Sequence, residues 1–267
     1  MKHLYSDDQD VSFSRLFANP GALYRDTPFW AWNCRLDGEE LHRQIGIFHQ
    51  MGMGGFHMHA RTGLGTPYLG PEFMKLVRQC VDDARAGSML AWLYDEDRFP
   101  SGAAGGLVTR DPAFRARRTE APDPANDGSG KLLAVYAIRF DQEHRLADYR
   151  LLADGDPAAP GFERFYAYLI VESRNPWFND QAYVDTLNPR AIRRFVELTY
   201  EAYFKAVGDE FGKSIPAIFT DEPHFTHKTV LRFAAERRDV QLPYTDDLPE
   251  TYRREYGAEF FDTLPEL

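Results

Sequence analysis

Residues 54–97 read GGFHMHARTGLGTPYLGPEFMKLVRQCVDDARAGSMLAWLYDED. Two short apolar runs, GGFHMHA (54–60) and MLAWLYDED (89–97), flank a segment of different period. Pro71 suits the first turn of a helix, where its missing N–H costs nothing. Phe73, Leu76, Val77, Cys80, Val81 and Ala84 then recur at helical spacing on one face, and Gly87 stops the run. Strand, helix and strand joined by short Gly-containing turns predict a parallel pair with a helical crossover, hence an α/β architecture.

The pattern extends upstream. FWAWN (29–33) reads as a short aromatic strand, and LDGEELHRQIGIFHQMG (36–52) as a helix. Asp37 is placed to cap that helix, Glu40 sits three residues on as in a capping box, and Gly52 ends it. Leu41, Ile45, Phe48 and Met51 form its apolar stripe. Downstream the pattern breaks. Residues 119–130 (EAPDPANDGSGK) read as a loop, and KLLAVYAIRF and FERFYAYLIVES as strands around the polar stretch 141–160. These predict a small β-rich insertion over 118–184. A helix then starts at Asn188-Pro189, carries Ile192, Phe195, Thr199, Ala202 and Ala206, and breaks at Gly212. PAIFTDEP (216–223) is a fourth strand, and 245–257 is helical. The predicted division is therefore 1–117, 118–184 and 185–267. Four βα strands fit the first half of a (β/α)8 TIM-type barrel; an open four-stranded sheet has the same pattern, and both put functional residues at the carboxyl ends of strands.

Composition narrows the partners. A net charge of -10 disfavours nucleic acid and anionic membranes, and the 43% hydrophobic and 14% aromatic content is that of a folded domain. The basic run FRARR (114–118) reads as a solvated helix face. Cys34 and Cys80, beside or within βα units, suggest neither a disulfide framework nor a zinc site. MKHLYSDDQD has no apolar core like a signal peptide's, and no run of about 18 apolar residues occurs, so a cytoplasmic setting is expected.

Polar residues gather where the strands end: Trp32 and Asn33; His57, His59 and Arg61; Tyr94, Asp95, Glu96 and Asp97; Asp221, Glu222 and His224. Alternation puts His57 with His59, and Asp95 with Asp97 if the strand persists that far. Each has a structural reading beside the functional one. His57 reads first as a hydrogen-bonded core residue, and Asp97 as a cap of the turn into PSGAAGG. Glu222, after the apolar AIFT, is expected in a partly apolar setting that would raise its pKa and suit acid catalysis. SGAAGG lacks the spacing and Lys of a phosphate loop, and a metal site built on residues 95–97 with a histidine has no fixed-spacing motif behind it.

TPFWAWN, GGFHMHARTGLGTPYLG, LYDEDRFPSGAAGG, YVDTLNPRAIRRFVELTYEAY and FGKSIPAIFTDEP, in that order, resemble the N-terminal part of the barrel of α-L-rhamnosidase-type glycoside hydrolases of family 106. The likeness covers roughly residues 26–225. It implies glycosidic bond hydrolysis by two carboxylates, with Glu222 as the acid and Asp221 beside it. His57, His59, Arg61, Asn33, His224 and the 95–97 acids would line a sugar pocket, with Trp32 or Tyr94 offering a stacking face. It also brings in calcium, with no ligand assigned to a residue. Family members continue for several hundred residues past the fourth strand, where the second carboxylate is expected; within this chain only the Asp95–Asp97 cluster could stand in. Two rivals follow: a non-catalytic sugar-binding or interaction module, and a metal-dependent isomerase or aldolase using the histidines and aspartates. A half barrel would leave Phe56, Leu93 and Phe219 in need of cover and an open edge for self-association.

Overall fold

The computed structural model describes residues 13–121, 130–153, 155–178, 180–236 and 238–267. The polar N-terminal stretch and most of the loop expected at 119–130 lie outside them. In chain order the elements are α1 (Phe13–Ala18), β1 (Phe29–Trp32), α2 (Gly38–Gln50), β2 (Gly55–Ala60), α3 (Pro71–Ala86), β3 (Leu90–Tyr94), β4 (Arg117–Ala121), β5 (Lys131–Phe140), β6 (Leu146–Leu152) and β7 (Glu163–Val171), followed by α4 (Pro189–Leu198), α5 (Tyr200–Val207), β8 (Ile218–Phe219), β9 (Val240–Tyr244), α6 (Leu248–Tyr256) and α7 (Phe260–Thr263). They build a mixed α/β structure with a parallel sheet in the order β1-β2-β3-β8 and an antiparallel sheet in the order β6-β5-β7-β4-β9. Two compact units result: Met1–Arg110 with Asn175–Gln181 and Ile192–Pro223, and Asp111–Arg174 with Ala182–Ala191 and His224–Leu267.

The first unit holds the parallel sheet. Helix α2 begins where Asp37 accepts a hydrogen bond from the Glu40 N–H, at 2.9 Å, and α3 begins with Pro71 in its first turn. Phe73, Leu76, Val77, Cys80, Val81 and Ala84 of α3 are all buried. Burying each of the larger ones contributes about 1.5–3 kcal/mol relative to exposure. Their partners are Trp30, Trp32, Phe56, Met58, Ala91 and Leu93, which share one sheet face. Phe56 and Leu93 are thus fully covered from the helix side, contrary to the expectation that they need further strands. The opposite face carries Phe29, His57, His59, Trp92, Tyr94 and Phe219, set by the register pairs Phe29↔His57, His57↔Trp92 and Tyr94↔Phe219. Phe29 stays 57% exposed there.

The fourth strand is shorter than expected: of PAIFTDEP only Ile218 and Phe219 pair, with Leu93 and Tyr94. The helix expected from Asn188 onward is two helices, broken at Thr199, whose hydroxyl donates back to the Phe195 carbonyl at 2.7 Å. Such back-bonding bends helices.

The second unit is the five-stranded antiparallel sheet with α6 and α7. Ala134, Tyr136, Ile138, Ala167, Tyr244, Phe260 and Leu264 form its core, and the Tyr136 hydroxyl donates to the Phe261 carbonyl at 2.6 Å. Strand β6 lies inside the stretch read as polar linker. It is an edge strand, mostly exposed, and its Leu146, Tyr149, Leu151 and Leu152 do not alternate at period two, so it leaves no strand pattern. FRARR is not a helix face either: Arg117 and Arg118 open β4 and pair with Asp246, Glu120 and Glu172. Strand β9, from the segment assigned by sequence to the barrel side, joins this sheet by pairing with β4. Both cysteines are free thiols, Cys34 exposed and Cys80 buried. Among the described residues no helix is long and apolar enough to cross a membrane.

Candidate active site at the strand ends

Strand β3 stops at Tyr94, so the alternation expected to carry Asp95 and Asp97 onto one face ends before them. Asp95 is fully buried. Its carboxylate accepts hydrogen bonds from the hydroxyls of Ser101 at 2.6 Å, Thr220 at 2.6 Å and Tyr200 at 2.8 Å. Burial pushes its pKa up, and those hydroxyls pull against that rise. Burial also pushes the Tyr200 phenol up to about 12.

Glu96 is 1% exposed. Its Oε2 lies 3.1 Å from the Ser101 hydroxyl. Its Oε1 is 3.5 Å from His59 Nε2 and 3.8 Å from Arg61 Nη1, within ion-pair range yet without a hydrogen bond. Burial raises the Glu96 pKa and the nearby charge of Asp221 adds to the rise, against the pull of His59 and the Ser101 hydroxyl. Asp97 stands apart from this pair. It accepts from the Gln181 amide at 3.2 Å, and burial raises its pKa as well.

The end of β3 is fastened to that of β8. The Asp95 N–H donates to the Phe219 carbonyl at 3.2 Å, and the Ser101 N–H to the Asp221 carbonyl at 3.0 Å. The Asp221 N–H donates to the Ser101 hydroxyl at 2.9 Å, and the Tyr94 hydroxyl to the Asp221 carboxylate at 2.8 Å. Burial and that bond together hold the Tyr94 phenol well above its ordinary value. Glu222 differs from expectation. It is exposed rather than set in a partly apolar site. It is also a non-glycine residue at φ 40°, in the left-handed region that costs an ordinary side chain roughly 1–2 kcal/mol.

The two histidines have separate surroundings. His57 Nδ1 donates to the Thr27 carbonyl at 3.2 Å, the ring stacks on Trp92, and burial lowers its pKa. His59 stacks on Tyr94 with ring centroids 3.6 Å apart, and its Nε2 lies 3.3 Å from Arg61 Nη1. The structure thus brings His59, Arg61, Tyr94, Asp95, Glu96 and Asp221 together.

The stacking faces expected from Trp32 and Tyr94 are not open. Trp32 is buried in the helix-side core against Phe73, and the Tyr94 ring is covered by His59 and Phe219. Phe29 is the exposed aromatic of this sheet face instead. Asn33 is exposed after β1. His224 belongs to the second unit, where it stacks on Tyr183 and its backbone N–H donates to the Tyr183 hydroxyl at 3.3 Å.

Sequence reading passed over Ser101, Thr220 and Tyr200. Thr220 closes the apolar AIFT, Tyr200 lies in the predicted helix off its apolar face, and Ser101 sits in a glycine-rich turn; a hydroxyl next to predicted buried acids is the available signal. Among the described residues no three His, Cys, Asp or Glu side chains converge as ligands for a metal ion, so calcium finds no fit here and enters no step below.

No family model and no curated protein matches the chain. Among solved structures, the rhamnosidase from Novosphingobium sp. PP1Y is similar with a TM-score of 0.58 and 11% identity, over 96% of this chain and 42% of that one. The likeness shows a rhamnosidase-like fold. The chain spans about two-fifths of the length of that enzyme.

Proposed function

We propose that this chain is part of a glycoside hydrolase of rhamnosidase type, its parallel sheet being the first half of a (β/α)8 barrel. One observation carries the reading: titratable side chains converge at the carboxyl ends of successive parallel strands, in a fold shared with a rhamnosidase. Barrel enzymes place their chemistry at that end. The partly open aromatic face also supports it, since parallel sheets are normally covered on both sides.

In this reading Glu222 gives its proton to the glycosidic oxygen as the bond to the anomeric carbon breaks. Its strained backbone fits a functional position, where such conformations cluster. Asp221, held by Tyr94, is the carboxylate beside that acid, and the base for the attacking water would come from a later strand, as the resemblance implies. His59 and Arg61 are donors for sugar hydroxyls.

Turnover of an aryl α-L-rhamnoside by the full natural chain, beside its Glu222→Gln variant, tests this. Hydrolysis that the substitution removes supports it. Sugar binding seen by calorimetry without any hydrolysis would replace it with the non-catalytic module.

A further inference from the structure

Ser101 sits where three groups converge. A hydroxyl has one hydrogen to give and two lone pairs. Its Oγ is 2.6 Å from Asp95 Oδ1, 3.1 Å from Glu96 Oε2, and accepts from the Asp221 N–H at 2.9 Å. The shortest contact takes the single hydrogen, toward Asp95. The contact with Glu96 is then attractive only if Glu96 supplies a hydrogen of its own. We propose that Glu96 is the proton-holding carboxyl of this site: it donates to Ser101, Asp95 carries the negative charge, and the protonated link clamps the end of β3 to that of β8.

The reverse assignment, with Asp95 protonated, fits worse. Asp95 is met by three hydroxyls, from Ser101, Thr220 and Tyr200. Thr220 and Tyr200 also meet each other at 2.6 Å, so together they leave at least one hydrogen for Asp95. With Ser101 that gives it two donors, and such donors favour the charged form. Glu96 has the Ser101 hydroxyl and, 3.5 Å from Oε1, the edge of the His59 ring, and that buried Oε1 has no partner in hydrogen-bond geometry. An ionised carboxylate would leave that atom uncompensated, which is costly in a buried setting.

The neighbouring cations do not reverse this. A guanidinium can only donate, so the contact of Arg61 Nη1 with His59 Nε2 makes Nε2 the acceptor and leaves no proton on it to face Glu96. Arg61 itself is 3.8 Å from Oε1 and its side chain is 44% exposed, so its field is screened by water. The other charges near Glu96 are Asp95, joined through Ser101, and Asp221, and both disfavour a further negative charge.

Glu96 is therefore a positioning residue. It acts through Ser101 on the Asp221 backbone, and so on Glu222 next to it. This rests on the glycosidase reading for its purpose and not for its chemistry.

The test is carbon-13 NMR of the full chain labelled at the glutamate carboxyl carbon, with Glu96 assigned through its own backbone. The expected titration midpoint lies above the ordinary glutamate value of 4.5. A midpoint at or below that value overturns the clamp and leaves the glycosidase reading standing. A high midpoint in a chain that cleaves no rhamnoside does the reverse. As a second measurement, Glu96→Gln keeps a neutral side chain with an N–H for Ser101. Its melting temperature relative to wild type should rise as pH increases above about 4.5, and a fall would contradict the proposal.

Discussion

Tyr94 shows how one side chain joins the two strands of the site. Its hydroxyl donates to Asp221 at 2.8 Å while its ring is held between His59 and Phe219. Tyr94→Phe keeps the stack and removes the bond. Hydrogen bonds to charged groups contribute about 1.5–3 kcal/mol, and urea unfolding should show a loss in that range. A change below about 0.5 kcal/mol would mean that the bond does not form. At this scale the sequence was half legible. The acids and histidines were visible as residue types at strand ends. Their hydrogen-bond partners were not, because Thr220 and Tyr200 reach Asp95 from more than a hundred residues away. Glu222 was expected in an apolar setting because AIFT precedes it, yet β8 ends at Phe219 and the turn beyond carries Glu222 outward.

Among elements, the two βα units and the third strand before residue 97 were legible from their periodicity, caps and glycines, since helix α3 alone shows six apolar positions on one stripe. Strand β6 escaped because its apolar residues, Leu146, Tyr149, Leu151 and Leu152, do not alternate at period two. Gly55 explains the tight pairing of β2 with β3. A Cβ there would stand 2.2 Å from the Leu90 carbonyl oxygen, a backbone atom that cannot swing aside. Gly55→Ala should therefore destabilise the first unit by about 1–3 kcal/mol, the range for overpacking a close contact. Chemical denaturation of the variant checks this, and unchanged stability would show that the strands can part without loss.

For the whole molecule, buried acids set the expected pH response. Asp95, Glu96, Asp97 and Asp185 all have pKa values raised, chiefly by burial. A raised carboxyl stabilises the fold fully below its unfolded value, here 3.8 for Asp and 4.5 for Glu, and loses that contribution as pH rises through the folded value. His57, lowered by burial, works the other way below 6.5, one group against four. Exposed acids with lowered values, such as Glu40, Asp141 and Asp209, favour higher pH but are screened by solvent. The melting temperature should thus decline as pH rises from about 4.5. A steady increase from there to about pH 8 would show that the buried acids are ionised without penalty. The architecture at this scale was legible as α/β, but the assignment of 224–267 to the antiparallel unit was not. It depends on β9 pairing with β4 across more than a hundred residues of chain, which no local pattern reports.

The most direct measurement is the turnover of an aryl α-L-rhamnoside by the full natural chain and by Glu222→Gln, with both shown to be folded. The strand-end site predicts hydrolysis by the first, and a fall of about 10²–10⁴ in kcat/KM for the second, the usual worth of general acid–base catalysis. Turnover of the variant within about twofold of wild type would contradict the assignment of Glu222 and, with it, the account of the site.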